Sequence, residues 1–372
     1  MTKMEMSAPW VSDEDIEIVL DALKNGWYGK DAYKYVELFE KKFAEFHNRS
    51  FALMTPNCTS ALHLILKAIG VSKDDEVIAP DVTWIGSVAG ITYQGAKTVF
   101  ADVDCNSWCL SAKTIEKRIT NKTKAVIVVG LYGNMPEWDE IQKLCGEKNI
   151  YLIEDAAESL GSRYKDIRSG KFGIASTFSF HRTKTMTTGE GGALLIDDKN
   201  LYERCKFLRD HGRKPGAWFN EEVTPKYMPS NLQGSLAYAQ YLRLEELVDK
   251  KRWILHGFKE RLSSIDDIYL NPEPSHVYNG AWAPALIFGK SHNLSRDKAM
   301  EKLTELDLPV RPFFYPLSFL PAFNREDQGR KDNPISYDLS ERGICLPSAL
   351  HLTDDDLDIY SNGIKEILNQ RF

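Results

Sequence analysis

Lys184 lies in the run Thr177-Phe-Ser-Phe-His-Arg-Thr-Lys-Thr-Met-Thr-Thr-Gly-Glu-Gly-Gly192, five residues after Ser179 and five before Gly189. A lysine amine becomes a nucleophile when burial near cations lowers its pKa. Three glycines in the four residues 189–192, just ahead of an apolar strand, imply unusual backbone angles or a close approach to another group. Upstream, an apolar strand at 150–153 ends in Glu154-Asp155. A buried carboxylate, a hydroxyl able to meet a phosphate and an amine, in that order, point to pyridoxal phosphate (PLP) chemistry. Lys184 would form the Schiff base, and Asp155 would keep the pyridine nitrogen protonated so that the ring acts as an electron sink. The plainer reading of Asp155 is a helix cap or a solvated turn.

Further residues suit the same ligand. Glu158 stands where it could reach the ring hydroxyl, or it is a surface glutamate. Asn57-Cys58-Thr59-Ser60 joins a strand to a helix, and free amides at a helix start bind phosphate with the help of the helix dipole. Thr59, Ser60 and Ser179 can each add a hydroxyl; an ordinary helix cap explains the first two equally well. Trp84, just past a strand end, could stack on a flat ring or fill a core or an interface. His181 and His211 fall nearby, and neither has the third partner of a nucleophilic triad. Gly-Glu-Gly-Gly is not a dinucleotide fingerprint, because it lacks the G-x-G-x-x-G spacing at the opening of a helix.

The elements that must position these residues are legible as alternating patterns. Ser12 can cap a helix ended by Gly26, with Ile16, Val19, Leu20 and Leu23 at helical spacing. A second helix is expected over 35–47 and a third from about Thr59. Strands are expected at 51–54, 76–79, 98–101, 125–129, 151–153, 176–180 and 193–196, with a helix at 137–148 after Pro136. Short apolar strands with helical crossovers make a mostly parallel sheet covered on both faces, and ligands bind beyond the carboxyl ends of such strands. A long helix is expected over 235–256. Beyond it the chain is richer in proline, with strands at 282–288 and 310–314 and helices at 295–306 and 354–368. This gives an α/β protein with a large domain, 1–256, and a smaller α+β domain, 257–372.

Composition excludes other classes. The chain has 372 residues, 43% of them hydrophobic, enough for a large core, and a net charge of −6. It has no basic block or zinc spacing that would suggest nucleic acid. It has no run of about 18 apolar residues to span a membrane, and its first residues lack the apolar stretch of a signal peptide. The six cysteines are scattered, and Cys105-x-x-x-Cys109 has no second pair or nearby histidine. The expectation is a cytoplasmic enzyme with reduced thiols and no metal.

The residues resemble those of the DegT/StrS-type sugar aminotransferases, PLP enzymes of the aspartate-aminotransferase fold (fold type I). The resemblance runs from about Ala8 to about Ile367. It is most specific in Asn57-Cys-Thr-Ser-Ala-Leu62, 80–87, Glu154-Asp-Ala-Ala-Glu-Ser-Leu-Gly161, 179–192, Met228-Pro-Ser-Asn231 and Arg311-Pro-Phe-Phe-Tyr-Pro316. The lysine stretch is similar to that of GDP-perosamine synthases. The resemblance implies that Lys184 is the Schiff-base lysine and proton shuttle, that Asp155 partners the pyridine nitrogen, that Glu158 lies near the cofactor hydroxyl and that Trp84 stacks on the ring. It places Cys58, Thr59, Ser60 and Ser179 around the phosphate. It also implies a homodimer with sites at the interface, in which Lys226 of the partner subunit holds the phosphate, and an N-terminal helix (12–25) that packs with the small domain. His181, Arg182 and Tyr315 are the candidates on the substrate side. Departures from the family pattern are Cys58 in place of the common glycine, His181-Arg-Thr183 ahead of the lysine, and Tyr315-Pro-Leu-Ser318 without the histidine of a Tyr-Pro-x-x-His pattern. If the glycine serves a positive φ, cysteine there would be strained.

The implied reaction moves an amino group from L-glutamate to a nucleotide-linked keto sugar, a 4-keto-6-deoxyhexose first of all, for an amino sugar of a surface polysaccharide such as O-antigen. A 3-keto sugar nucleotide, a ketocyclitol, or a non-catalytic PLP-binding member are the other readings.

Overall fold

The computed structural model describes residues 5–214 and 216–369. The apolar runs become strands β1 (Phe51–Thr55), β2 (Glu76–Pro80), β3 (Lys97–Ala101), β4 (Thr123–Val129) and β5 (Tyr151–Asp155). After the short pair β6 (Arg163–Tyr164) and β7 (Ile167–Arg168) come β8 (Ala175–Ser179) and β9 (Gly192–Ile196). The main sheet has the order β1-β9-β8-β5-β4-β2-β3. Its central pairings are parallel, and β9 alone runs against its neighbours β8 and β1. Strands β2, β8 and β9 are buried at every position, as a sheet covered on both faces requires.

The helices α1 (Asp13–Asn25), α2 (Lys34–Phe46), α3 (Cys58–Ala68), α4 (Gly86–Tyr93), α5 (Ala112–Glu116), α6 (Trp138–Lys148), α7 (Lys199–Arg209), α8 (Asn231–Leu242) and α9 (Leu244–Arg261) flank the sheet. On one face α3, α4 and α7 bring Leu62, Ile65, Val88, Ile91 and Leu208 onto Leu53, Val77 and Ile127. On the other, Phe39 and Phe43 of α2 and Leu247 of α9 pack on Met54, Phe178 and Leu195.

The remaining elements are β10 (Ile268–Leu270), β11 (Val277–Tyr278), β12 (Ala285–Phe288), α10 (Arg296–Glu305), β13 (Arg311–Pro312), α11 (Glu326–Asp332), α12 (Pro334–Arg342), β14 (Gly343–Cys345) and α13 (Asp354–Asn369). Strands β10-β12-β14-β13 form a second, antiparallel sheet, while β11 pairs with β6. No helix among the described residues is long and apolar enough to cross a membrane.

Several expectations change. The helix expected over 235–256 is two helices, α8 and α9, broken at Arg243 (φ −113°, ψ 14°). No glycine or proline marks the break. Arg243 ends α8 and bonds both Glu246 and Asp15, fixing the turn by tertiary contacts. The boundary drawn at 256/257 falls inside α9, which continues to Arg261. Helix α1 takes α8 as its main partner rather than the small domain: Gln240 donates to Asp15, and Asn231 donates to the Gly26 carbonyl. The segment ahead of α1 touches the small domain instead, with Ser348 N–H donating to the Met6 carbonyl. The strand expected at 310–314 shrinks to Arg311–Pro312; Phe313 N–H still donates to Gly343 of β14, and Phe314 and Tyr315 leave the sheet to reach other partners.

Two carboxylates, Asp81 buried and Asp102 partly buried, tie segment 318–336 to the main sheet. Asp81, just past β2, accepts the N–H and hydroxyl of Ser318 and the amide of Asn333 (2.8, 2.7 and 2.9 Å). Asp102, just past β3, accepts the N–H groups of Ile335 and Ser336 (3.0 and 2.8 Å).

Candidate active site

The carboxyl ends of β1, β2, β5 and β8 converge on one edge of the sheet, and because β9 runs the other way its first residue, Gly192, lies at that edge too, opposite Thr55 and Ser179. The loop carrying Lys184 spans β8 and β9 and is closed by its own ladder. Phe180 N–H donates to the Gly191 carbonyl, Arg182 N–H to Gly189 and Thr188 N–H to Phe180, each at 2.8 Å. The glycines have separate reasons. Gly189 has φ +77°, where a side chain is strained. Gly192 runs so close to the start of α3 that a Cβ would stand 2.5 Å from the backbone of Asn57 and Cys58.

This frame aims the Lys184 amine inward, 12% exposed, 3.2 Å from Glu158 Oε1 and 3.7 Å above the Trp282 ring. The other oxygen of Glu158 accepts the N–H of Tyr132 at 3.0 Å. Burial raises the Glu158 pKa, and the Lys184 charge opposes that rise. Asp155 is 2% exposed. It accepts the Ser87 hydroxyl (2.7 Å) and the Ala157 N–H (3.1 Å), with the Cys58 thiol at 3.8 Å. No lysine or arginine pairs with it among the described residues, and burial raises its pKa despite these donors. It is a buried carboxylate that a cationic partner would hold ionised.

At the start of α3 the Asn57 side chain caps Ser60 N–H (2.8 Å), which leaves the N–H groups of Cys58 and Thr59 without a hydrogen bond among the described residues. Cys58 is helical, with no positive φ, so it takes the place of the family's glycine without strain. Its buried thiol bonds Thr177 (3.4 Å). Gly86 fits between Thr59 and Trp84, where a Cβ would come within 3.0–3.1 Å of both side chains. Ser60 and Ser179 are buried at the same edge. Trp84 is 62% exposed and tilts toward Phe314, with centroids 6.1 Å apart. For a flat heteroaromatic ring with a phosphate arm, the edge thus supplies an amine, an unpaired buried carboxylate, free helix-start amides and an exposed indole. These residues fit PLP.

Sequence reasoning missed an aromatic triad. The rings of Phe314, Tyr132 and Trp282 lie nearly parallel and meet one another in a triangle, with centroids 5.1, 5.7 and 6.4 Å apart, and the Trp282 indole donates to the Thr183 carbonyl at 2.8 Å. Tyr132 holds φ +54°, uncommon for a bulky residue. It is pinned by Glu158 at its N–H, Asn271 at its carbonyl and Phe314 N–H at its hydroxyl. Tyr315 is placed differently from expectation. Its ring packs on Arg296 (4.1 Å) and Phe319, and its neighbour Phe314 enters the aromatic triad. The backbone alternates through Phe313-Phe314-Tyr315, and a run of three aromatics was the available signal. His181 bonds Thr183 and faces Glu190, and burial and the cations Lys184, Arg182 and Arg311 lower its pKa. Arg182 is exposed on the lysine loop. Within one subunit Lys226 pairs with Asp210, away from these contacts.

The sequence profile described as the DegT/DnrJ/EryC1/StrS aminotransferase family matches residues 9–364. GDP-perosamine synthase of Escherichia coli O157:H7 is 34% identical over 98% of this chain and 98% of its own. A putative sugar aminotransferase of Streptococcus pneumoniae in its PMP form superposes with a TM-score of 0.91, at 25% identity, over 99% of this chain and 100% of that one. A 3-amino-5-hydroxybenzoic acid synthase does so with the same TM-score and identity over 99% of each chain.

Proposed function

The chain belongs to the DegT/DnrJ/EryC1/StrS family of PLP-dependent aminotransferases, and from that premise we propose that it moves an amino group from L-glutamate to a nucleotide-linked keto sugar. A 4-keto-6-deoxyhexose is the favoured acceptor, because GDP-perosamine synthases match end to end. The observation that carries the reading is Lys184, held 3.2 Å from a buried glutamate at the same strand edge as the unpaired Asp155.

PLP, when bound, supplies an electron sink that stabilises negative charge on the carbon losing its proton. The residues of the chain do the rest. Lys184 would take that proton and return it two atoms away, as general base and acid. Glu158 orients the Lys184 amine. Asp155 holds the pyridine N–H, with Ser87 and Ala157 fixing the carboxylate. The Cys58 and Thr59 amides, with the Thr59, Ser60 and Ser179 hydroxyls, bind the phosphate. Trp84 covers the ring. His181 and Arg182 face the acceptor.

A homodimer follows from the same reading, with Lys226 of the partner subunit on the phosphate. Trp218, Phe219 and Val223 support it: Trp218 is 96% exposed and the other two are also exposed, an apolar surface suited to a second copy. A monomeric mass with full activity would overturn the dimer. Six unpaired cysteines accord with a cytoplasmic location.

The test is the visible spectrum of the protein with PLP, before and after L-glutamate. A yellow band that bleaches with glutamate and regains its strength on addition of a nucleotide-linked 4-keto sugar is expected. Lys184→Ala should not sustain turnover. A band that returns only with a 3-keto sugar nucleotide or a ketocyclitol would move the acceptor, and a band that glutamate never bleaches would sink the donor assignment.

A further inference from the structure

Lys251 of α9 is 1% exposed, and no carboxylate pairs with it among the described residues. Its ammonium donates to the carbonyl and to the hydroxyl of Ser348, the latter at 3.2 Å. Ser348 N–H donates to the Met6 carbonyl (2.9 Å), and Leu350 N–H donates to the Ala8 carbonyl (3.3 Å). Between those two contacts Ser7 Oγ donates to the carbonyl of Thr183 (3.3 Å), the oxygen that also accepts the Trp282 indole. Thr183 directly precedes Lys184. An unbroken set of contacts therefore joins α9, the segment after β14, residues 6–8 and the base of the reactive lysine. The charge of Lys184 is also felt at Lys251, whose pKa falls to about 7, chiefly through burial.

A buried lysine without a counter-charge opposes folding, and a methionine would fill much the same space without that penalty. Such a residue works against stability, and local rules broken at a cost in stability are expected at functional sites. We propose that Lys251 is a positioning residue for Lys184: it fixes the 348–350 segment, which through residues 6–8 holds the Thr183 carbonyl and so sets the angle of the reactive side chain. The proposal rests on Lys184 being the amine that takes up the cofactor.

The experiment compares Lys251→Met, Ser7→Ala and the double variant. It reads kcat and KM for L-glutamate, PLP affinity by visible absorbance, and the melting temperature of the cofactor-free protein. Lys251→Met should leave the melting temperature unchanged or raise it, and should lower kcat by about tenfold or more, since small misplacements of a reacting group have large effects on rate. KM for glutamate should change by no more than about twofold. Ser7→Ala should lower kcat less, and the double variant should be no slower than Lys251→Met alone, because both act through one carbonyl. Lys251→Gln, which keeps a neutral donor, should recover part of the rate and carries the same cycle if the methionine variant does not fold. A lower melting temperature with kcat intact would make Lys251 a structural bracket only and overturn the proposal. So would independent, multiplying effects of the two substitutions. Absence of a PLP band in the unaltered protein, by contrast, would sink the reading of Lys184 itself.

Discussion

Glu154 and Asp155 are consecutive residues of β5, and alternation along a strand sends their side chains to opposite faces of the sheet. Both are buried and both have pKa values raised by that burial. Their surroundings differ. Glu154 accepts the hydroxyls of Ser169 and Ser176 and the N–H groups of Gly170 and Phe172, with Arg49 close by. Its donors enclose it, and nothing further can reach it. Asp155 has the Ser87 hydroxyl, one N–H and a distant thiol, and it faces the edge where the amine and the free helix amides stand. Burial therefore does not distinguish an architectural carboxylate from a chemical one; the donors still missing do.

That contrast can be broken in several ways. Asp155→Asn removes the charge and keeps the shape. Activity should fall by about 10²- to 10³-fold, as for loss of one preorganised charge partner. The melting temperature of the cofactor-free protein should hold or rise, because an unpaired buried carboxylate is gone. Activity within tenfold of the unaltered enzyme would remove Asp155 from the site. Glu154→Ala should do the reverse and lose about 3–5 kcal/mol of stability in a denaturant titration, because it orphans enclosed donors. Protein that remains folded should keep its rate. A fully stable Glu154→Ala would erase the distinction between the two.

Gly192→Ala sharpens the point on the neighbouring strand. Its Cβ would press on the backbone of Asn57 and Cys58, and overpacking of this kind destabilises by about 1–3 kcal/mol. PLP affinity should weaken more than kcat. Gly146→Ala in α6, where nothing lies within 4 Å of the new Cβ, is the control and should gain about 0.5–1 kcal/mol. A third buried charge is read through its pH dependence. The Lys251 pKa drops from an ordinary 10.5 to about 7 on folding. Between those values the unfolded chain holds more protons, so this residue makes stability rise as pH goes from about 7 to about 10. Lys251→Met should flatten that part of the stability–pH curve, as read from denaturant midpoints. An unchanged curve would mean that Lys251 does not titrate in this window.

The sheet was legible because each strand is a short apolar run bounded by polar turns, and a strand buried on both faces has no other way to read. Lys184, Asp155 and Glu158 were legible because they sit within a few residues of a strand end. Tyr132, Trp282 and Phe314 were not, because each reaches the site from a distant segment and carries no local signal. Tyr315 was named as a substrate-side candidate and Phe314 was not, because sequence alone does not phase an irregular segment. The break at Arg243 follows from its bonds to Glu246 and Asp15, and Asp15 lies far away in sequence. The role of Cys58 depended on a backbone angle, and only coordinates supply that.

The bonds from Asp81 and Asp102 to Ser318, Asn333, Ile335 and Ser336 tie segment 318–336 to the ends of β2 and β3. Pulling that segment away would strip buried Asp81 and partly buried Asp102 of their donors, at about 1–3 kcal/mol for each buried group left unsatisfied. Trp84 follows Asp81 by three positions, and Phe314, whose ring meets it, precedes Ser318 by four. The aromatic rim of the edge is therefore moored on both sides by the same carboxylate.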